Sequence, residues 1–297
     1  MSLVAAIDCG TNSIKLLVAD LPQVLVRESR VVRLGQGVDE TGRLADEALA
    51  RTFEAVEDFA AVITTHGVPV ERVRLCATSA TRDASNAQVF VDGVRARLGV
   101  TPQVLSGLEE AALLFDATTM LDPPPAAPAL AVDIGGGSTE LVLGGAEHAV
   151  SMDIGSVRLH ERHLAADPPT AEEWRRCGRD VDEHLAGCGL DLAAAHSVVG
   201  TSGTIKTLAC GVLDLPFYDR DAIDGAVLGV DDTLAFAERL RAMTVAERRA
   251  LPYLHPGRAD VIGAGSLIWT RVLQCSGVDS YVVSEADILY GIARAIG

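Results

Sequence analysis

Apolar residues along this chain form short continuous runs and helically spaced segments, and glycine-rich turns separate them. Val4 to Ile7 and Ala129 to Val132 are predicted to be buried strands, because a short unbroken apolar run suits a strand covered on both faces. From Asp46 to His66 the apolar residues recur at helical spacing, and Gly67 is a natural residue to end that helix. The pattern therefore predicts buried strands followed by amphipathic helices.

A proline-rich segment divides this pattern into two halves. Leu121 to Pro128 cannot lie inside a helix, and its prolines lack the donors that a sheet needs. We therefore predict an N-terminal domain at residues 1–123 and a C-terminal domain at residues 124–297. Both halves open with a strand, a glycine turn and a second strand, which is a weak internal repeat.

The turn in the second half has the sequence D-I-G-G-G-S-T-E, from Asp133 to Glu140. Three consecutive glycines allow positive φ angles and let a ligand approach bare backbone N–H groups. Asp133 enters the turn and Glu140 leaves it, so two carboxylates flank a space of phosphate size. This arrangement suggests a phosphate bound together with a divalent cation. The alternative is a glycine-rich β-turn that has acidic flanks and no ligand.

Two further turns resemble the first in composition. Asp8 to Ser13 follows the first strand, and its Thr, Asn and Ser side chains add donors to the backbone amides. Lys15 either helps to hold phosphate or lies on the solvent face of its strand. Gly200 to Thr207 leads from a strand into a helix, whose N-terminus is a ready anion site. It is not a Walker A loop, because no glycine precedes Lys206.

Adjacent glutamates begin the helix that follows Ser106. Ser106 and Glu109 match a capping box, in which the glutamate folds back onto the N-cap amide. Glu110 is left uncommitted, so the two glutamates should not be equivalent; the alternative is that both acids simply favour a helix N-terminus. Arg82 follows the strand at 73–77, where open α/β sheets place ligand groups. It has either a functional role or a surface salt bridge.

Composition narrows the class of protein. The chain has 297 residues and a formal net charge of −16, which disfavours broad binding to nucleic acids or anionic membranes. A long polyanion would be repelled unless a basic groove or a metal offsets this field. The six scattered cysteines suggest buried free thiols in a reducing compartment, and the histidines form no metal-ligand pattern. With no signal peptide and no membrane-length apolar run, we expect a cytoplasmic protein.

Several sequence blocks together resemble the exopolyphosphatase/guanosine pentaphosphate phosphohydrolase (Ppx/GppA phosphatase) family. They are A-I-D-C-G-T-N-S, S-G-L-E-E-A, D-I-G-G-G-S-T-E and G-T-S-G-T, joined by T-S-A-T-R-D-A-S-N and H-P-G-R-A-D-V-I-G-A-G. The resemblance implies an α/β fold of two ribonuclease H-like domains, as in the actin-like ATPase superfamily. It also implies an active site in the cleft between the domains and a closing helix, 285–296, that packs back on the first domain.

The resemblance also implies roles for individual residues. Glu110 matches the general base that activates the attacking water. Asp8, Asp133 and Glu140 match residues associated with the divalent ion, which is normally Mg²⁺. The residues expected to bind phosphate are Gly10, Thr11, Asn12, Ser13, Arg82, Gly135, Gly136, Gly137, Ser138, Ser202, Gly203 and Thr204.

The expected activity is Mg²⁺-dependent hydrolysis of the terminal phosphate of inorganic polyphosphate. The chain resembles short family members without a C-terminal helical domain, and with its negative charge this favours shorter polymers as substrates. Removal of the 5′-phosphate of guanosine pentaphosphate, phosphotransfer as in sugar kinases, and non-catalytic binding of polyphosphate or the alarmone are the alternatives. No nucleic-acid or membrane partner is expected, and a homodimer is one candidate assembly.

Overall fold

The computed structural model describes residues 3–297, in which groups of strands are followed by helices. The strands are β1 Val4–Cys9, β2 Ser13–Asp20, β3 Gln23–Val31, β4 Val73–Ala77, β5 Gln103–Val104, β6 Ala129–Ile134, β7 Thr139–Leu143, β8 Ala149–Met152, β9 Ser197–Gly200, β10 Val227–Gly229 and β11 Ser280–Val283. The helices are α1 Val38–Thr41, α2 Asp46–Thr65, α3 Ser79–Asp83, α4 Ala87–Leu98, α5 Gly107–Thr118, α6 Ser156–His163, α7 Ala171–Gly187, α8 Gly203–Val212, α9 Arg220–Ile223, α10 Val230–Ala242, α11 Val245–Arg249, α12 Ile262–Ser276 and α13 Ile288–Arg294.

These elements form two compact units. The first contains the chain up to Leu113 together with Ile288–Gly297, and the second contains Leu114–Asp287. Each unit has one mixed sheet with helices, so the predicted α/β class is confirmed. The domain limits at 1–123 and 124–297 stay a prediction.

The sheet of the first unit has the strand order β3-β2-β1-β4-β5. β1 pairs antiparallel with β2 and parallel with β4. Every residue of β1 is buried, because Ala5, Ile7 and Cys9 pack into one core and Val4 and Ala6 into another. A strand covered on both faces has no polar face, which accounts for the unbroken apolar run at its start.

The closing helix α13 covers one face of this first sheet. Leu289 and Ile292 are fully buried in the same cluster as Val4 and Leu17. Gly291 lies so close to the backbone of Leu113 that a Cβ atom added there would collide with the Leu113 carbonyl group. Glycine at 291 therefore permits the close approach between α13 and α5.

The second unit repeats the arrangement of the first with one more strand. Its order is β10-β11-β9-β6-β7-β8, in which β6, β7 and β8 are antiparallel neighbours and β6, β9 and β11 run parallel. One core lies under the sheet and includes the fully buried Trp269 of α12, whose ring meets Tyr281 of β11 edge-on at 4.9 Å between ring centroids. The weak internal repeat of the sequence thus corresponds to two related sheets.

The helix predicted from Asp46 is confirmed, whereas the burial of the cysteines is confirmed only in part. The helix predicted to begin at Asp46 ends at Thr65, and Gly67 follows it with a φ of +67°. The six cysteines are all free, but the expectation of buried thiols holds for only four of them, because Cys188 is half-buried and Cys275 is exposed. Among residues 3–297 no helix has the length and apolar character needed to cross a bilayer.

We expect Gly291→Ala to destabilise the first unit. The added methyl group would force α13 away from the Leu113 carbonyl, and overpacking of this kind costs about 1–3 kcal/mol. Thermal unfolding followed by circular dichroism measures the change. Gly187→Ala, at the end of α7 where an added Cβ meets no atom within 4 Å, is the control. Equal melting temperatures for the two variants would contradict this account of the α13 packing.

Candidate active site

The loop between β6 and β7 has its carbonyl groups tied to α6. The Gly135 carbonyl accepts hydrogen bonds from the Ser156 amide at 3.0 Å and from the Ser156 hydroxyl at 3.2 Å. The Gly136 carbonyl accepts two further amides from the first turn of α6, at 2.8 and 3.1 Å. The Gly137 carbonyl accepts Nε of Arg158 at 2.9 Å. All three glycine carbonyls therefore point toward α6.

Because these carbonyls are held by α6, the amide groups that follow them in the loop point away from α6. In a trans peptide the C=O and N–H groups point in opposite directions, so the amides of Gly136, Gly137 and Ser138 face away from α6. Within residues 3–297 none of these three amides has a hydrogen-bond acceptor. Successive amides that share one direction form an anion-binding concavity. The backbone of this loop is therefore suited to an anion, and phosphate binding by Gly135, Gly136, Gly137 and Ser138 stays a prediction.

Gly155, the residue before α6, holds this loop in place through its lack of a side chain. A Cβ atom at Gly155 would lie 2.5 Å from the carbonyl carbon and oxygen of Gly136. Its φ of −157° is ordinary extended backbone, so the need for glycine here is one of space alone.

Two acidic side chains stand next to each other beside the loop. The antiparallel register of β6 and β7 pairs Asp133 with Glu140, and that of β7 and β8 pairs Glu140 with Ser151. The Ser151 hydroxyl donates to Oε1 of Glu140 at 2.8 Å, and Glu140 is buried. Directly opposed residues have Cβ atoms about 4.5–5.5 Å apart, so both carboxylates share one face of the sheet.

The loop between β1 and β2 repeats the backbone geometry. The Gly10 amide donates to the Ser13 carbonyl at 2.9 Å, and the corresponding hydrogen bond closes the second loop at the same length. The carbonyls of Thr11 and Asn12 accept amides from the segment after β3 at 2.8–3.0 Å. Tying the Thr11 carbonyl turns the Asn12 amide in the opposite direction, as in the second loop.

The charges beside the two loops differ. The first hairpin pairs Asp8 with Lys15, and Nζ of Lys15 lies 3.1 Å from Oδ2 of Asp8. The Lys15 side chain is 20% exposed, so it does not lie on an open solvent face, which was one of the two alternatives. Asp8 thus has an ammonium partner where its counterpart Asp133 has a second carboxylate.

The donor chemistry of the second loop fits a divalent cation. Opposed like charges destabilise a pair of strands, and a hard cation between carboxylates removes that repulsion. Mg²⁺ typically uses one or two carboxylates, with substrate phosphates and water completing its shell. Asp133 and Glu140 suit this role, and the metal role of Asp8, which pairs with Lys15, stays a prediction. In the described chain, residues 3–297, no three His, Cys, Asp or Glu side chains converge as a metal site.

The third loop supplies a capped helix N-terminus. The Ser202 hydroxyl accepts the Ile205 amide at 3.2 Å and so acts as the N-cap of α8. Ser202 and Thr204 are both buried, which leaves the backbone of the first turn as the part of this loop suited to an anion. Phosphate binding by Ser202, Gly203 and Thr204 stays a prediction.

Arg258 is a cationic residue near these loops to which the sequence assigned no role. Its guanidinium group packs so closely on Gly203 that any side chain there would collide with it. Burial lowers the pKa of Arg258, while the charges of Tyr218, Asp287 and Asp133 act in the opposite direction. The signal was present in the H-P-G-R-A-D block, but its distance from Gly203 along the chain concealed the contact.

Lys206 was also missed by motif reasoning. Its Nζ lies 3.4 Å from Oε2 of Glu285 and 3.5 Å from Oδ2 of Asp287, and all three side chains are at most 7% exposed. The Tyr218 hydroxyl donates to the other Glu285 oxygen at 2.6 Å. Lys206 therefore joins the third loop to the residues after β11, and its charge is matched by two acids.

The two glutamates at the start of α5 are not equivalent, as predicted. Oε2 of Glu109 accepts the Ser106 amide and hydroxyl, each at 2.8 Å, and these hydrogen bonds lower the pKa of Glu109. Glu110 instead faces Arg82, with 3.5 Å between Oε2 and Nη1. Arg82 also donates to the Leu105 carbonyl at 2.9 Å, which fixes its guanidinium group beside Glu110.

Comparison with known proteins identifies relatives across the whole chain. The sequence model of the Ppx/GppA phosphatase family matches residues 13–291. Exopolyphosphatase 2 of Mycobacterium tuberculosis is 44% identical, in an alignment that covers 100% of this chain and 99% of that protein.

Solved structures give a consistent result. The crystal structure of an exopolyphosphatase-like protein has a TM-score of 0.93 and 44% identity, with 98% of each chain covered. An exopolyphosphatase from Cytophaga hutchinsonii has a TM-score of 0.89 and 27% identity, with 99% of this chain and 97% of that chain covered. The chain therefore has the fold of these proteins.

We expect Gly155→Ala to weaken anion binding by the second loop. The new methyl group would push against the Gly136 carbonyl and turn the glycine amides out of line. Isothermal titration with tripolyphosphate should show affinity reduced by about tenfold or more, the loss of roughly one charge-assisted hydrogen bond.

The matched control is Gly145→Ala, in the turn after β7. A Cβ at this position meets only the carboxylate end of the exposed Glu147 side chain, which can move aside. Unchanged affinity in Gly155→Ala, with a folded protein, would show that the loop does not depend on this contact.

Proposed function

Because this chain belongs to the Ppx/GppA phosphatase family, we propose that it is an exopolyphosphatase that releases the terminal phosphate of inorganic polyphosphate. The observation that carries the proposal is the second glycine loop, whose carbonyls are tied to α6 so that three amides share one free direction. Neutral N–H donors of this kind suit a terminal phosphoryl group, because its oxygens are the only atoms that it offers for hydrogen bonds.

The reaction needs an attacking water, and we assign its activation to Glu110. The carboxylate lies in the first turn of α5, and its neighbour Glu109 is committed to the capping box. Glu110 orients the water and accepts its proton as the water oxygen attacks phosphorus, and the shortened polyphosphate chain leaves. Arg82 holds the carboxylate in position at 3.5 Å.

The family implies a phosphatase that depends on a divalent metal, and we propose that the ion is Mg²⁺. Asp133 and Glu140 are the residues that would hold it, since they present two carboxylates on one face of the sheet. A bound Mg²⁺ supplies neutralisation of the phosphate oxygens during transfer. Asp8 is assigned a supporting position beside the first loop, where Lys15 balances its charge.

The substrate is polyphosphate in preference to guanosine pentaphosphate in this proposal. The support is the 44% identity to a protein named an exopolyphosphatase. Phosphate release from short polyphosphate, long polyphosphate, guanosine pentaphosphate and ATP, each with and without Mg²⁺, tests it. Faster release from guanosine pentaphosphate than from both polymers would overturn the substrate assignment, and equal turnover of both polymers would remove the preference for short chains.

The proposed location is the cytoplasm. Six cysteines without a disulfide are consistent with a reducing compartment. A homodimer stays a prediction for sedimentation or light scattering to test.

We expect Glu110→Gln to lower the rate of phosphate release by about 10²–10⁴-fold, because the amide cannot accept the proton of water. Binding of tripolyphosphate should persist, since the loop amides are untouched. Glu109→Gln is the matched control: glutamine also completes a capping box with Ser106, so the protein should stay folded and the rate should remain within about twofold of wild type. Full activity in folded Glu110→Gln would refute the assignment of the base.

We expect Glu140→Gln to raise the Mg²⁺ concentration needed for half-maximal activity. One of the two adjacent carboxylates is lost, and the shift should be about tenfold or more. A Mg²⁺ titration of initial rates measures it. Glu147→Gln removes a carboxylate that is 73% exposed in the turn after β7, and this variant should titrate like wild type. Identical titrations for both variants would remove Glu140 from the metal assignment.

A further inference from the structure

Three helices of the second unit line an open groove that has no part in the proposed reaction. Its volume is about 530 Å³, within the range of pockets that bind small molecules. One face each of α7, α10 and α12 lines it. None of the lining residues belongs to the three glycine loops, so the groove is a separate feature of this unit.

The groove is basic although the chain is strongly acidic. Its lining contains four arginines and two acidic residues, whereas the whole chain has 25 Lys and Arg against 41 Asp and Glu. Arginine presents a planar fork of donors that matches phosphate oxygens, which makes it the usual residue for phosphate recognition. The local reversal of charge indicates an anionic ligand.

The positive charge is concentrated on the α7 and α12 sides. Arg175 and Arg179 are one helical turn apart on α7, where Arg175 pairs with Glu172 at 2.7 Å, and Arg271 projects from α12. Arg271 is held by Asp182 at 3.2 Å and by Gln274 at 3.0 Å. Arg179 is exposed, and within residues 3–297 it has no hydrogen bond or ion pair. This side therefore offers an unengaged guanidinium group beside a fixed one.

The α10 side is apolar and nearly neutral. Leu234 and Ala237 form its wall, and the Arg241 charge is balanced by both Glu238 oxygens at 3.3 Å. The Arg241 guanidinium lies 5.6 Å from the centre of the Trp174 ring, which forms part of the groove lining. This side suits a planar or apolar group.

We propose that this groove is a second ligand site, for a nucleotide, and this goes beyond the proposed hydrolysis of polyphosphate. The phosphates would contact Arg179 and Arg271, and the nucleobase would lie toward Leu234 and Trp174. Inorganic polyphosphate has no planar part for the α10 side. A protein partner is disfavoured because the groove has the size of a small ligand and stable protein interfaces bury about 1,200–2,000 Å².

Titration calorimetry with ADP, adenosine and inorganic tripolyphosphate tests the proposal on the full chain without Mg²⁺. We expect Arg179→Glu to weaken ADP binding by about tenfold or more, because a charge-assisted hydrogen bond is replaced by repulsion. Arg176→Glu makes the same charge change at an exposed position on α7 outside the groove, and it should bind ADP like wild type. Both variants should release phosphate from polyphosphate at the wild-type rate when no nucleotide is present.

Tryptophan fluorescence provides a second readout, since the chain has only two tryptophans. Trp174 lines the groove, while Trp269 packs against Gly200 of the third loop. ADP should change the emission of Trp269→Phe, in which Trp174 remains, and the change should shift to higher ADP concentration when Arg179→Glu is added. The emission of Trp174→Phe should not respond at these concentrations.

Three results would overturn the proposal. They are equal ADP affinity in wild type and Arg179→Glu, a fluorescence response carried by Trp269 alone, and tripolyphosphate binding to the groove as tightly as ADP. The last result would mean that the groove recognises phosphate without a nucleobase. Loss of polyphosphate hydrolysis in Glu110→Gln is measured separately, so failure of either idea leaves the other standing.

Discussion

Antiparallel pairing across each glycine turn determines which charges meet at the loops. A four-residue turn between two strands brings residues seven positions apart into direct opposition, so Asp8 meets Lys15 and Asp133 meets Glu140. One hairpin thus makes an ion pair, and the other opposes two carboxylates, a donor set of the kind that suits a divalent cation. The two hairpins share one backbone geometry, and their opposed pairs differ because one of the four side chains is a lysine.

The anion cradle depends on a second constraint, which is the opposite direction of C=O and N–H in each peptide. Glycines alone would leave the loop free to turn either way. In the second unit, α6 and Arg158 take the carbonyls of Gly135, Gly136 and Gly137, and this leaves the following amides with one common direction. Gly155 makes the anchoring possible because it has no Cβ to hold the loop away.

The sequence revealed features with short-range causes. The capping box separated Glu109 from Glu110, since both partners lie within one helical turn, and the glycine loops followed from composition. Contacts between segments that are distant along the chain could not be predicted from the sequence. Arg258 meets Gly203 only because the fold joins them, and Lys206 finds its acids after β11. The spacing of residues along the chain predicts which groups can cap a helix or flank a turn. The partners of the charged side chains depend on tertiary packing, which the sequence does not show.

The distribution of counter-ions explains how an acidic chain can act on an acidic substrate. Lys15 is bound by Asp8, Arg82 faces Glu110, and Lys206 is matched by two acids. These three cations are engaged, and the amides of the second loop are neutral donors that suit phosphate without adding charge. Arg179 has no acidic partner within residues 3–297. Anion binding at the groove beside Arg179 would depend on guanidinium charge and should weaken as the salt concentration rises. Anion binding by the aligned amides of the second loop should depend less on the salt concentration.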